Sequence, residues 1–361
     1  MNADDLFITP SSNSNLKGEY IPVIDSSTAE TPKLNTDIPT NLVIKGKNAL
    51  FSCPILAKLP VTSVTFSELV TLTNASGLSN VFCGSKTLTS VSFPELTTIL
   101  GSNALNYAFD GCTNLTSVSF PELTTISGDS ALFRVCPDCS KLTSVSFPEV
   151  TTISGSYALG YAFYSCSKLT SVSFPKVTTI SGSYALFRVC STCKNLKSAS
   201  FSEVTTISGS NALNWAFEDC SNLTSVRFPK LTTISGDNAL HDAFEDCSKL
   251  TSVSFPKVTT ISGDYALRWA FEGCSNLTSV SFPEVTTISG YYALNWAFED
   301  CSNLTSVSFP KLTTVSYPNN AFWQAGSSSL TIHLPKALSS LGITNNLGSN
   351  SSNYCSFVYD L

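Results

Sequence analysis

The chain has 361 residues, only 13% of them charged against roughly 25% in ordinary soluble domains, while 42% are hydrophobic. A net charge of −6 argues against nucleic-acid binding, and no apolar run reaches the roughly 18–20 residues of a membrane-spanning helix. Two histidines, His241 and His333, leave little for acid–base or metal chemistry, and no nucleophile elbow or phosphate-binding glycine loop occurs.

In chain order, residues 1–40 read as an irregular lead-in rich in Ser, Thr, Asn and Pro, with no signal peptide visible. Residues 41–65 read as a degenerate first coil that caps the stack. Over 66–314 a phenylalanine recurs every 27 residues, from Phe66 and Phe93 to Phe282 and Phe309, without insertion or deletion. Cysteine keeps the same spacing from Cys112 to Cys301. Such regularity predicts a solenoid in which each unit touches only its neighbours. Residues 315–361 read as a degenerate last coil and C-terminal cap, with Phe357 and Tyr359 covering the open hydrophobic end.

One unit, starting at Gly236, divides into three parts. Leu240, Ala243, Phe244 and Cys247 stand at i, i+3, i+4 and i+7, which predicts a short helix capped by Asp237. Gly236 is expected to supply the unusual backbone angles of the entry turn. Val253 and Phe255 then alternate with Ser252 and Ser254, a strand that Pro256 ends. Val258 and Ile261 carry a second, shorter extended segment around Thr259 and Thr260. The expected fold is an α/β solenoid, a right-handed coil stack with a parallel strand face, a short second extended segment and a short helix per repeat.

The string Cys220, Leu223, Val226, Phe228, Pro229, Leu231, Ile234, Ala243, Phe244 resembles the BspA-type leucine-rich repeat. At 27 residues the unit is longer than that family's usual repeat, with the extra residues before Ala-Phe. The resemblance implies a curved solenoid on cell surfaces of host-associated bacteria and some protozoa. It also implies an extracellular or surface location, a role in adhesion or in binding a protein or glycan, and no catalytic residue. A structural or self-associating surface protein without soluble ligand is the alternative, with an enzyme behind both. No cofactor and no membrane insertion are expected.

The Cys-x-x-Cys pairs Cys136/Cys139 and Cys190/Cys193 admit zinc, a disulfide within the coil, or packing as buried thiols. Two coils apart, they stand too far from each other to share one metal. Cys136 and Cys190 fill a phenylalanine column, and Phe133 and Phe187 three residues earlier look like the displaced bulk. No metal site is expected. Glu149, Lys176, Glu203 and Lys230 alternate in one column and should pair across coils. The Asn-x-Ser/Thr sequons at Asn114, Asn222, Asn276 and Asn303 belong to the repeat and serve either turn chemistry or glycan attachment. Rows of Ser and Thr also raise ice binding, although the usual pattern of two outward threonines is missing.

Columns that vary between repeats are free to carry specificity. One reads Tyr107, Arg134, Tyr161, Arg188, Trp215, Asp242, Trp269, Trp296, and another contains Tyr265 and Tyr292. Trp215, Trp269, Trp296, Tyr265, Tyr292, Tyr161 and Tyr107 are therefore the candidate binding residues on a helical ridge. Either these rings meet a partner or they bridge adjacent helices. His241, in the position that elsewhere holds Asn or Arg, is expected to face solvent.

Overall fold

The computed structural model describes residues 7–10, 41–45, 57, 60–316, 321–322, 325, 330–339 and 356–359. Each 27-residue coil has three sides. The first is a short strand such as Ser252–Ser254, where Val253 and the following Phe255 are buried while both serines face out. The second is a two-residue strand such as Thr260–Ile261, with Ile261 inward. Both stack parallel and in register on their equivalents one coil away, as in Ser252↔Ser279 and Thr260↔Thr287. The two-residue strands form one ten-stranded sheet from Thr71–Leu72 to Thr314–Val315. The Ser-Val-Ser strands and their equivalents lie in two sheets, of five and nine strands, completed by the strands at the two ends of the chain.

At the N-terminus Phe7–Pro10 pairs antiparallel with Asn41–Lys45, which lies parallel to Ser63–Ser67. At the other end Ser356–Tyr359 adds to Thr331–Leu334. Phe357 and Tyr359 lie half-buried against the core, and Phe357 meets Phe322 edge-on. Most of the lead-in, of the first degenerate coil and of the tail from Gly342 lies outside the described residues.

The third side corrects the expected helix. Among the described residues the repeats contain none. From Asn238 to Asp246 every second amide leaves the coil: Asn238, Leu240, Asp242, Phe244 and Asp246 donate to carbonyls of the next coil at 2.7–3.0 Å. The intervening amides close tight turns, as in His241 to the Asn238 carbonyl (3.2 Å) and Ala243 to that of Leu240 (3.2 Å). A left-handed residue occurs every fourth position, at Asn238, Asp242 and Asp246 (φ 52–55°), which no α-helix tolerates. The result is a ladder of turns with period four. Residues 239–240 and 243–244 point in, and the pairs between them make up the outer surface of the turns. The expected capping of Asp237 also gives way: its Oδ1 accepts the Asp264 amide of the next coil at 2.9 Å.

The glycine before each turn run serves close approach, not φ. A Cβ on Gly182 would stand 2.2 Å from the Gly155 carbonyl oxygen, and Gly209, Gly236 and Gly263 show the same contact. Side chains tie the coils as well. The Thr97, Thr124 and Thr151 hydroxyls each donate to the backbone carbonyl one coil earlier, at 3.0–3.3 Å.

The core is a set of one-residue columns. Phe228, Phe255 and Phe282 stack nearly coplanar, and so do Phe217, Phe244 and Phe271 at 5.5–5.7 Å. The cysteine column has a bonding role that spacing does not reveal. Each thiol from Cys112 to Cys301 donates to a backbone carbonyl of the preceding coil, as Cys247 does to Phe217 at 3.2 Å. These cysteines are free and buried. Cys136 and Cys190 are buried in the phenylalanine column, but Phe133 and Phe187 are not its displaced members, because both rings lie half-buried on the outer side.

Candidate binding surface

All seven candidate aromatics sit on the turn ladder at left-handed positions, with φ between 51° and 55°. Their columns share that conformation with Asn103, Asn211, Asn238 and Asp242, residue types that tolerate it. For a bulky ring the same angles cost about 1–3 kcal/mol, held by the ladder bonds on either side. Each of the seven is half-buried.

The rings form a continuous spine. Tyr107, Phe133, Tyr161, Phe187, Trp215, His241 and Trp269 follow one another edge to face at 5.2–5.9 Å between centroids. Trp269 then stacks on Trp296 at 5.0 Å. Each coil supplies one ring to the spine from two adjacent positions. Where the second position holds Arg134, Arg188 or Asp242, the first holds Phe133, Phe187 or His241. Packing therefore accounts for much of the variation in the Tyr/Arg/Trp/Asp column. His241 accordingly does not face solvent: on the outer side of the turns it is covered by Trp215 and Trp269, is 8% exposed, and its Nδ1 lies 2.7 Å from Asp242 Oδ2. The tyrosine column adds a parallel line, with Tyr157 stacked on Tyr184 at 4.5 Å and Tyr265 beside Tyr292 at 5.8 Å.

Arginines sit between the rings. Arg134 lies over Tyr107 (5.2 Å) and approaches Asp110, while Arg188 lies over Trp215 (4.7 Å) and pairs with Glu218 at 2.7 Å. Arg268 covers Trp269 at 3.7 Å and lies 5.3 Å from both Tyr265 and Trp296. Beside the spine runs a carboxylate column, Glu218, Glu245, Glu272 and Glu299. Glu299 accepts the Trp269 indole N–H at 3.0 Å. Glu245 and Glu272 are pushed up to about 7, first by burial and then by neighbouring carboxylates, Asp242 and Glu299 foremost.

The other sides are regular. The outward serines alternate with buried valines, and Arg227 is the exposed exception. Lys176–Glu149 and Lys230–Glu203 pair across coils as the alternating column predicts, and Lys311–Glu284 adds a third such pair, each exposed and worth at most about 1 kcal/mol. The sequon asparagines Asn114, Asn222 and Asn303 use their Nδ2 to donate to a backbone carbonyl of the preceding coil at 2.6–2.8 Å, a tie between coils. Burial drives the thiols of Cys166, Cys220, Cys247 and Cys274 well above their ordinary range, which keeps them protonated donors. Among the described residues no three His, Cys, Asp or Glu groups are placed to hold a metal, and no helix is long and apolar enough to cross a membrane.

Fold and surface define a β-solenoid repeat protein with one variable, aromatic side. Its sequence matches the family model of the BspA type leucine rich repeat region over residues 78–213, 138–268 and 241–353, and the chain belongs to that family. Among solved structures it is similar to a leucine-rich repeat protein from Bacteroides ovatus, at 19% identity over 93% of this chain and 99% of that one (TM-score 0.36). The pneumococcal vaccine antigen PcpA is similar at 17% identity over 83% and 80% (TM-score 0.38). A leucine rich cell surface protein from Faecalibacterium prausnitzii is similar at 19% identity over 91% and 99% (TM-score 0.32). Comparison with curated proteins gives no match.

Proposed function

We propose that the chain is a non-enzymatic recognition module of the cell-surface type, binding a protein or glycan partner through its turn ridge. One observation carries this reading: seven large aromatic residues occupy left-handed positions that asparagine or glycine fills at lower cost, and all remain partly exposed. Spine packing recovers part of that cost and leaves the rings pre-organised, the condition under which large rigid side chains make effective anchors. Trp215, Trp269 and Trp296 are the anchors in this reading, extended by Tyr265, Tyr292, Tyr161 and Tyr107. Membership of a family of surface repeat proteins supports the extracellular or surface assignment.

The test is a binding screen of the full chain against immobilised matrix proteins and a glycan panel. Replacing the three tryptophans by asparagine, which suits φ near 50°, removes the anchors while relaxing the backbone. Binding is expected to fall at least tenfold, about 1.4 kcal/mol. Loss on replacing outward serines or Arg227, with the ridge variant unaffected, contradicts the assignment. Concentration-dependent sedimentation without any ligand favours the self-associating surface component instead.

A further inference from the structure

We infer that the ridge carries a subsite for a single sugar ring bearing a carboxylate, in the hollow between Tyr265, Arg268, Tyr292, Asn295 and Trp296. The inference rests on the ridge as the recognition side and gives it a ligand class. The hollow measures about 220 Å³, below the roughly 300–1,000 Å³ of pockets for drug-sized ligands, so it suits one ring.

Three features of these coils point to this ligand. Arg134 and Arg188 each have a carboxylate partner, whereas Arg268, among the described residues, contacts only aromatic faces and forms no ion pair. Trp269 at 3.7 Å holds the guanidinium plane, and its fork matches a carboxylate through two parallel hydrogen bonds. The asparagine at the base is also unsatisfied. Asn106 and Asn214 donate their amide N–H to Asn103 and Asn211, three residues earlier, at 2.9 Å. In this coil that earlier residue is Tyr292. Asn295 therefore lacks the asparagine acceptor that its equivalents use; it is 4% exposed, and its Oδ1, like that of Asn106, has no partner among the described residues. A half-turn of the amide offers that acceptor to a ligand hydroxyl.

The walls supply the remaining chemistry. Tyr265, Tyr292 and Trp296 give apolar faces for the C–H side of a pyranose, with phenol hydroxyls at the rim. The neighbouring acids leave the arginine free for a ligand: among the described residues none pairs with Arg268, and Glu299 accepts the Trp269 indole N–H. A neutral sugar leaves the guanidinium unmatched, and an acidic peptide group leaves the aromatic walls unfilled.

The experiment titrates methyl glucuronide, methyl glucoside and N-acetyl-aspartate amide into the full chain, following saturation transfer and tryptophan fluorescence. The glucuronide is expected to bind at least tenfold more tightly than the other two. Arg268→Gln is expected to remove that difference, Trp296→Asn to weaken glucuronide at least tenfold, and Arg134→Gln to change nothing. Thermal unfolding of each variant verifies that it folds, and Arg268→Lys provides a second reading, keeping the charge without the fork and recovering only part of the affinity. Equal binding of glucoside or of the aspartate amide, glucuronide binding unaffected by Arg268→Gln, or no binding of glucuronide overturns the subsite. If that occurs while the three-tryptophan variant still loses partner binding, the ridge assignment stands and only the sugar assignment falls.

Discussion

Gly182→Ala tests the close contact on which the coil stack depends. The added Cβ would lie 2.2 Å from the Gly155 carbonyl oxygen and 2.8 Å from both the Gly155 carbonyl carbon and the Ser154 oxygen, all backbone atoms. Ordinary contact begins near 3.4 Å, so the two coils must part there by about 1 Å. The bonds flanking the glycine, Ser181 N–H to Ile153 (3.3 Å) and Tyr157 N–H to Ser183 (2.8 Å), would stretch beyond hydrogen-bonding range. Two such bonds at about 0.5–1.5 kcal/mol each, with about 1–3 kcal/mol for overpacking, put the loss at about 2–6 kcal/mol. Urea denaturation of the full chain measures it, with the exposed Ser181→Ala expected within about 0.5 kcal/mol of wild type as control. Gly182→Asn separates the two explanations for this glycine. Asparagine is tolerated if the site requires left-handed φ and is worse than alanine if it requires close approach. A Gly182→Ala loss below about 1 kcal/mol at unchanged slope refutes the stacking argument.

Three further outcomes follow from the same packing. Phe244→Ala opens a hole between Phe217 and Phe271 and should cost about 3–5 kcal/mol, read by the same denaturation and felt in both adjacent coils. Thiol titration of native protein should modify Cys83, the exposed one among the described cysteines, while the ladder thiols react only after denaturation. Glu245 and Glu272 bind protons more tightly when folded (about 7) than their ordinary value of 4.5, so stability should rise as pH falls from about 7 towards 4.5. Thermal melts across that window should show the trend, and Glu245→Gln with Glu272→Gln should flatten it.

The solenoid was legible because stacking repeats each chemical demand at every coil. Phe255 must meet Phe228 and Phe282, so the 27-residue spacing and the Ser-Val-Ser alternation appear in the bare sequence. The helix was misread because Leu240, Ala243, Phe244 and Cys247 fit both a 3.6-residue period and a four-residue one. The discriminating residue is Ala239, buried beside Leu240, since inward pairs separated by outer pairs define period four. The run of Asn, Asp and Gly in the left-handed columns, as in Asn103 and Gly111, pointed the same way. The spine was likewise readable as a rule across dipeptides. Asn106-Tyr107, Phe133-Arg134, Gly160-Tyr161 and His241-Asp242 each hold one ring, and that rule explains why His241 is buried. The cysteine hydrogen bonds and the Arg268 hollow were not readable, since they depend on which carbonyl or carboxylate of a neighbouring coil lies within reach.

The position of every ridge residue rests on the third side being a ladder of turns, and far-UV circular dichroism of the full chain tests this most directly. The spectrum should show extended and turn structure without the helical double minimum, because alternate amides such as Leu240 and Phe244 bond to the next coil and left-handed residues interrupt every fourth position. A helical signal matching a short helix in each coil would contradict the ladder, and with it the left-handed placement of Trp215, Trp269 and Trp296.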